Sequence, residues 1–497
     1  MPGAEGDPAA ARSLPRLAVA GTAGDAGKTL VSVGLALEAR RAGLAVRAFK
    51  KGPDYIDAAW LTFAAGRPAR NLDSFLMGFE GAAASFRRHA VPRGLNIVEG
   101  NRGLYDGLDA QGTHSTAELA KALQAPVVLV VNATKVTRSA AAWVLGCQKL
   151  DPEVHIAGVI LNQVAAPRHE QILREAVESA CGIPVLGAIP RLRGERILPW
   201  RHLGLVTPAE HPDTAGLDQR LMKLLEGRLD LERLLAIAHL APHLDPAPAL
   251  DSDPALGAGL KVGCVQDSAF TFYYPENIEA LESAGAKVVS VSSLSGTALP
   301  AGLDALYVGG GFPETQALAL SENRVFLGSL REACVRGLPV YAECGGLMLL
   351  ARAIRYQGRH HPMAGVLPFE VEMCDAPQGH GYAVLTVDRP NPFFPAGVTL
   401  KGHEFHYSRI VPEAGGPPTA ARVDRGVGCF EGRDGVTLGN VWASYTHLHA
   451  LGAPEWAGGL LAAARRFSTA PAASLGPPQS VRERSRTAAR RAAREHR

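Results

Sequence analysis

The sequence is short of several things, and each shortage excludes something. Its 497 residues hold seven cysteines, at 147, 181, 264, 334, 344, 374 and 429, with no C-x-x-C pair and an odd total. A disulfide framework or a zinc ribbon is therefore excluded as the organising device, and a reducing cytoplasm is the expected compartment. No apolar run approaches the roughly 18 residues that cross a bilayer. The N-terminus shows no charged segment leading into an apolar one, so neither a signal peptide nor a membrane partner is expected. Net charge is only +3, which gives no global argument for a nucleic-acid partner. What is present is ordinary for a soluble globular chain: 47% apolar and 20% charged residues. The length predicts two or three domains.

From Leu17 onward, short apolar runs alternate with helical stretches. "RLAVAG", "LAVRAFK", "LNIVEG", "APVVLVVNA" and "IAGVILNQV" read as buried strands. Their spacing requires crossover helices, hence a mostly parallel sheet with both faces covered. Residues 15–240 form this first domain. The stretch 241–259 is rich in Pro, Ala, Asp and Gly without periodicity and reads as a linker. A second α/β series, 260–466, begins at "LKVGCVQD" and continues through "AKVVSVSSL", "ALYVGGG" and "LPVYAEC". The fold class is α/β in two domains, each expected to be a mostly parallel sheet flanked by helices. Residues 467–497 are read as a basic, disordered tail, its last 18 residues carrying seven arginines.

"AGTAGDAGKTL" (Ala20 to Leu30) joins the first strand to the first helix. Glycine-rich backbone at a helix N-terminus cradles phosphate. Thr22, Gly24, Asp25, Ala26 and Gly27 supply the loop, Lys28 neutralises phosphate charge, and Thr29 places a hydroxyl on Mg²⁺. The strict pattern asks for glycine where Thr22 stands; Gly21 lies one residue earlier. ATP with Mg²⁺ is the ligand such a loop takes. "FKKGPDYIDAAW" sets Asp54 and Asp57 after the second strand, and "NIVEGNRGLYDG" sets Glu99 at the end of another. Carboxylates at that edge suit Mg²⁺, with Asp54 and Glu99 beside Thr29 as candidate ligands. A turn after Gly52-Pro53 explains the two aspartates without metal. Asp57, Arg67 and Arg70 are candidates for gripping a polycarboxylate substrate; surface ion pairing accounts for the two arginines equally well.

"LPVYAECGG" reads as strand, sharp turn and helix, with Cys344 on the turn. Such an elbow exposes a nucleophile. The helix N-terminus is expected to lower the thiol pKa. Gly345, with Gly310 and Gly311 of "YVGGGFPE", could present N–H groups to an oxyanion. His447, in "VWASYTHLHA", is the candidate base. An ordinary buried cysteine is the alternative reading of Cys344.

The N-terminal half resembles the dethiobiotin synthetase-like P-loop domain, which shares the longer G-x5-G-K-T spacing. The C-terminal half resembles a class I glutamine amidotransferase domain. Together and in this order, "KGPDYID", "EGNRGLYDG", "YYPENIEAL", "GGGFPE", "YAECGGLM" and "EFHYS" closely resemble the cobyrinic acid a,c-diamide synthases, over roughly residues 15–465. The resemblance implies that Cys344, helped by His447, releases ammonia from glutamine. It implies that ammonia travels internally to the other domain, where ATP and Mg²⁺ activate a macrocycle carboxylate as an acyl phosphate. The substrate it implies is cobyrinic or hydrogenobyrinic acid, amidated on its a and c acetates in cobalamin biosynthesis; a homodimer fits the same family. The alternatives are an amidase of sirohaem, sirohydrochlorin or nickel-sirohydrochlorin and, more distantly, a non-catalytic P-loop regulatory ATPase. One departure stands out. Many class I glutaminases carry His-x-Glu, whereas this chain reads His447-Leu448-His449. Glu404 of "GHEFHYS" is a candidate to orient His447 in its place, and His449 is read as structural.

Overall fold

The computed structural model describes residues 13–191, 200–201, 204–205, 208, 216–248, 253–412 and 415–470. The arginine-rich segment after Ala470 and the middle of the 241–259 linker lie outside the described residues. The chain divides into two compact units, before and after residue 250.

The first unit alternates β1 (Arg16–Gly21), α1 (Lys28–Arg41), β2 (Val46–Lys51), α2 (Tyr55–Ala65), β3 (Arg70–Leu72), α3 (Ser74–His89), β4 (Leu95–Gly103), α4 (Thr116–Ala122), β5 (Val127–Asn132), α5 (Ser139–Leu150), β6 (Ile156–Val164), α6 (Pro167–Cys181) and β7 (Val185–Pro190). Two further helices, α7 (Leu217–Leu225) and α8 (Leu231–His239), follow. The seven strands pair in parallel in the order β3-β2-β4-β1-β5-β6-β7. Alternate side chains of one strand feed opposite cores. Leu17 and Val19 pack with Val31, Trp60 and Leu225, while Ala18 and Ala20 pack with Phe86, Leu119 and Val144. That is why β1 and β5 read as continuous apolar runs: both faces are covered by helices. The strand ends then leave one edge for chemistry.

The second unit carries a ten-stranded sheet. Lys287–Val291, Lys261–Val265, Ala305–Val308, Val340–Glu343 and Val441–Ser444 lie side by side in parallel. Beyond them the pairing turns antiparallel, through Arg433–Leu438, Thr419–Arg425, Gly379–Val387 and Thr399–His406 to His447–Leu448. The parallel expectation thus describes only the first run. The change of direction has a local cause: only Gly439 and Asn440 separate Leu438 from Val441, a two-residue hairpin connection. A smaller four-stranded sheet runs in the order Arg359–Pro362, Ala353–Tyr356, Phe369–Met373 and Ser408–Pro412. Only two residues join Ser444, in the middle of the large sheet, to His447 at its far end. Three steps of chain span no more than about 11 Å, so the sheet curls back on its own centre. The last helix among the described residues runs Glu455–Thr469.

Candidate active sites

The phosphate loop sits at the C-terminal edge of the first sheet. Gly27 takes φ 99° at the N-terminus of α1, a conformation glycine adopts without strain. A Cβ there would also collide with the Asn162 amide. Asn162, on β6, donates to Ala26 O at 2.9 Å and so braces the loop from outside. Sequence reasoning passed over Asn162; its place at the end of an apolar strand was the available signal. Thr22 N–H is tied to Val130 O at 3.1 Å. Lys28 Nζ folds onto Ala23 O at 3.4 Å.

The acidic residues do not stand alone. Lys50, at the end of β2, is 1% exposed and donates to Asp57 Oδ2 at 2.6 Å and to Glu99 Oε1 at 2.8 Å. Thr29 Oγ1 donates to the same Glu99 oxygen at 2.8 Å. Burial alone would lower the Lys50 ammonium; the Asp57 and Glu99 carboxylates more than offset it and hold it above its ordinary range. Burial likewise works on Asp57, yet Lys50 keeps that carboxyl below its usual range. Glu99 stays raised, because burial outweighs its cationic partner. "FKK" carried the signal for Lys50: a lysine inside an apolar strand needs a buried counter-charge.

Asp54 has a structural task. It caps α2, accepting the Asp57 N–H at 2.9 Å. Burial, then Asp57, raise its carboxyl to about 7. The turn-forming role is therefore present, whatever else Asp54 does. Among the described residues no group of three or more His, Cys, Asp and Glu side chains is arranged to hold a metal ion. A Mg²⁺ ion that takes one carboxylate, one hydroxyl and phosphate oxygens needs no such group. The fit is instead marked by Glu99 Oε2, a fully buried carboxylate oxygen without a hydrogen-bond partner among the described residues. Arg67 is exposed on the loop entering β3, and Arg70 is buried as the first residue of that strand. β3 is the outer strand, three places from β1.

In the second unit, Cys344 stands between Val340–Glu343 and a six-residue helix, Gly345–Leu350, with φ 46° and ψ −97°. That backbone is strained for a residue with a Cβ. It is held by the Cys344 N–H, which donates to Ser444 O at 2.7 Å. The thiol is 6% exposed. Burial, then the neighbouring Glu314 carboxylate, push it above its ordinary range. This corrects the expectation of a lowered thiol pKa: one N–H of a short helix, that of Gly345, acts in the lowering direction and loses to desolvation. The three candidate oxyanion glycines converge on the elbow. A Cβ on Gly345 would lie 3.1 Å from Gly311 N, and one on Gly310 would meet His447 Cε1 at 2.5 Å. Cys344, His447 and these glycines are thus brought together from three separate segments.

His447 is 2% exposed, and its Nδ1 lies 3.5 Å from Glu343 Oε2. Glu343 is fully buried and fixed on both oxygens: Leu448 N–H donates to Oε1 at 3.0 Å and Tyr307 Oη–H to Oε2 at 3.0 Å. Glu404 is placed elsewhere. It accepts the Val427 and Gly428 N–H groups and lies 3.8 Å from His406 Nε2. Burial would raise its carboxyl, but His406 and those N–H groups hold it low. The carboxylate facing His447 is therefore Glu343, not Glu404. Parallel register, Glu343 opposite Ser444, makes the approach possible across 104 residues of chain. His403 stacks on His447 with ring centroids 5.0 Å apart. Asn277 clamps the segment that follows, donating to Leu448 O at 2.9 Å and accepting Ala450 N–H at 2.7 Å. His449 is fully buried, with Nε2 3.7 Å from Glu276 Oε2, in keeping with a structural role.

Comparison with known proteins matches both units. A family model described as a CobQ/CobB/MinD/ParA nucleotide binding domain fits residues 17–197, and one described as a CobB/CobQ-like glutamine amidotransferase domain fits residues 261–455. The chain is 44% identical to a cobyrinate a,c-diamide synthase of Magnetococcus marinus, over 89% of this chain and 96% of that protein. It is 40% identical to a protein of the same name from Archaeoglobus fulgidus, over 88% and 95%. A third, from Syntrophotalea carbinolica, is 41% identical over 89% and 97%.

Proposed function

The chain belongs to the cobyrinate a,c-diamide synthase family, and from that premise we propose how its two units divide the chemistry. The protein is an ATP-dependent, glutamine-amidating ligase of cobalamin biosynthesis. Its substrate is cobyrinic acid or the metal-free hydrogenobyrinic acid. The domains are residues 15–240 and 260–466.

Glutamine is cleaved in the second unit. Cys344 Sγ attacks the carboxamide carbon, and the thiol proton passes to His447. The developing oxyanion takes the N–H groups of Gly311 and Gly345, with Gly310 leaving room for the imidazole. His447 returns the proton to departing ammonia, and water then releases glutamate from the thioester. Glu343 holds His447 through Nδ1, so that Nε2 is the working nitrogen. Because the free thiol is protonated, the base has to act in the attack step rather than meet a standing thiolate.

Ammonia is consumed in the first unit. A carboxylate is a poor electrophile; attack of its oxygen on the terminal phosphorus of ATP releases ADP and leaves an acyl phosphate. Ammonia displaces phosphate and gives the amide, first on one acetate and then on the other. The loop Thr22–Thr29 and Lys28 hold the phosphates. Thr29 and Glu99 would hold Mg²⁺, which supplies charge neutralisation on the transferring phosphoryl group when bound. Lys50 keeps Asp57 ionised in a dry site and holds both Asp57 and Glu99 in place. Asp54 supports this set from the start of α2. Arg67 and Arg70 are carried as candidate contacts to substrate carboxylates. A cytoplasmic location and a homodimer complete the proposal.

The observation that carries this reading is that one chain holds both halves: the Thr29–Glu99–Lys50–Asp57 network beside a phosphate loop, and a strained thiol among Gly310, Gly311 and His447. The test offers the purified protein ATP, Mg²⁺ and glutamine, with cobyrinic acid and sirohaem in parallel. Two amides gained on cobyrinic acid, by mass spectrometry, is the expected result. Turnover on sirohaem alone would keep the mechanism and overturn the substrate.

A further inference from the structure

We propose that the cavity on the α5 side of the phosphate loop receives the edge of the tetrapyrrole macrocycle, an assignment that rests on the reading above. The cavity encloses about 560 Å³ and lies wholly within the first unit. The phosphate loop from Thr22 lines one side, with Asn132 and Thr134 at the end of β5; Tyr105, Trp143 and Leu150 supply the large apolar surfaces of the rest. Trp143 and Leu150 are seven residues apart on α5 and share one face. They are not needed by the core, which α5 reaches through Ala140, Ala141 and Val144. They stay open instead: Trp143 is 46% and Leu150 70% exposed. Tyr105 Oη–H donates to Cys147 O at 2.6 Å, which ties the loop after β4 to α5 and fixes the shape of the wall.

The occupant follows from two requirements. The carboxylate that is phosphorylated has to reach the terminal phosphate, so its carrier has to border the phosphate loop, as this cavity does. The segments that build the cavity also carry exposed cations. Arg102 precedes Tyr105 by three residues, and Lys135 and Arg138 follow Thr134. An apolar wall with cations on the flanking segments suits a flat macrocycle edged by carboxylates. The volume takes one edge of the macrocycle, which leaves the acetate being amidated pointing toward the phosphate.

The test uses the full-length protein as Trp143→Ala, Trp143→Phe and Leu150→Glu, with ammonia as nitrogen donor so that Cys344 is bypassed. Truncating an aromatic anchor costs more than about 1.4 kcal/mol, so KM for cobyrinic acid is expected to rise about tenfold in Trp143→Ala and Leu150→Glu. Trp143→Phe should restore much of it, and KM for ATP should stay put in all three. Quenching of tryptophan fluorescence by cobyrinic acid should shrink in Trp143→Phe. An unchanged KM for the acid would overturn the assignment. So would a rise confined to ATP, which would make the cavity the base site. A change of particle mass in Leu150→Glu with a wild-type KM would make the face a contact between copies of the chain. If wild type amidates sirohaem instead, the same variants are read on sirohaem, and the cavity stands or falls separately from the substrate's name. If it amidates no tetrapyrrole, both readings fail together.

Discussion

Both candidate sites lie at the C-terminal ends of parallel strands, yet they solve opposite electrostatic problems. The first unit gathers charge. Lys50 binds Asp57 and Glu99 in a region where burial works against each ion; the attraction holds Lys50 charged and Asp57 low, and opposes the burial that raises Glu99. Among the described residues the second unit sets carboxylates rather than a cation beside its candidate nucleophile, where Glu314 and Glu343 stand near the thiol. Cys344 is buried, its thiol is pushed up, its backbone is strained, and the reading above gives His447 the task of activating it. The difference follows the chemistry. A phosphoryl group and a metal ion bring charge with them and need a site already ionised. Glutamine is uncharged at the amide, and a neutral thiol with a base at hand is protected until it is used.

The comparison breaks most completely at the thiol. Cys344→Ala should abolish glutamine-dependent amidation and leave ammonia-dependent amidation near wild type, measured as product mass with each nitrogen donor; normal use of glutamine would refute the nucleophile. Lys50→Met comes next and should strike both donors alike. It leaves buried carboxylates without their cation, a change that costs about 3–5 kcal/mol, so a thermal melt should show a large drop. A variant that melted like wild type would deny the ion network its role. Glu343→Gln tests the carboxylate that faces His447. Glutaminase kcat should fall roughly 10²-fold, the lower end of what a positioned base contributes, with a shifted pH profile and little change in glutamine KM. Preserved kcat would return the orienting role to another group.

Two smaller effects sharpen the contrast. Asn162→Ala removes the brace on Ala26 and should weaken ATP binding about fivefold, near 1 kcal/mol for one hydrogen bond; titration calorimetry reads it. Alkylation of Cys344 in glutamine-free protein should be slow at pH 7. Since only thiolate reacts and the thiol is raised, the rate should climb steadily with pH past 9. Peptide mass spectrometry separates this thiol from the other six. A rate already level at pH 7 would mean a preformed thiolate.

Much of this was legible in the residues. The alternation of apolar runs with helices set the first sheet, because strands covered on both faces must be apolar throughout. The phosphate loop was legible because its parts are contiguous: Gly27, Lys28 and Thr29 act through backbone that only local sequence can shape. Cys344 was legible as an elbow for the same reason. The antiparallel half of the second sheet was harder, since its direction depends on short connections such as Gly439-Asn440 rather than on the strands themselves.

What the sequence by itself determined was therefore the fold class, the two units and the local loops that bear the reacting groups. Their order along the chain and their spacing are local properties. What only the tertiary structure decided was which side chain answers which. Glu343 rather than Glu404 faces His447, because parallel pairing of Val340–Glu343 with Val441–Ser444 sets their register. Lys50 joins Asp57 to Glu99, because β2 and β4 are neighbours. The thiol is raised rather than lowered, because burial outweighs a six-residue helix. Each of these rests on through-space distance and desolvation, and neither scales with separation along the chain.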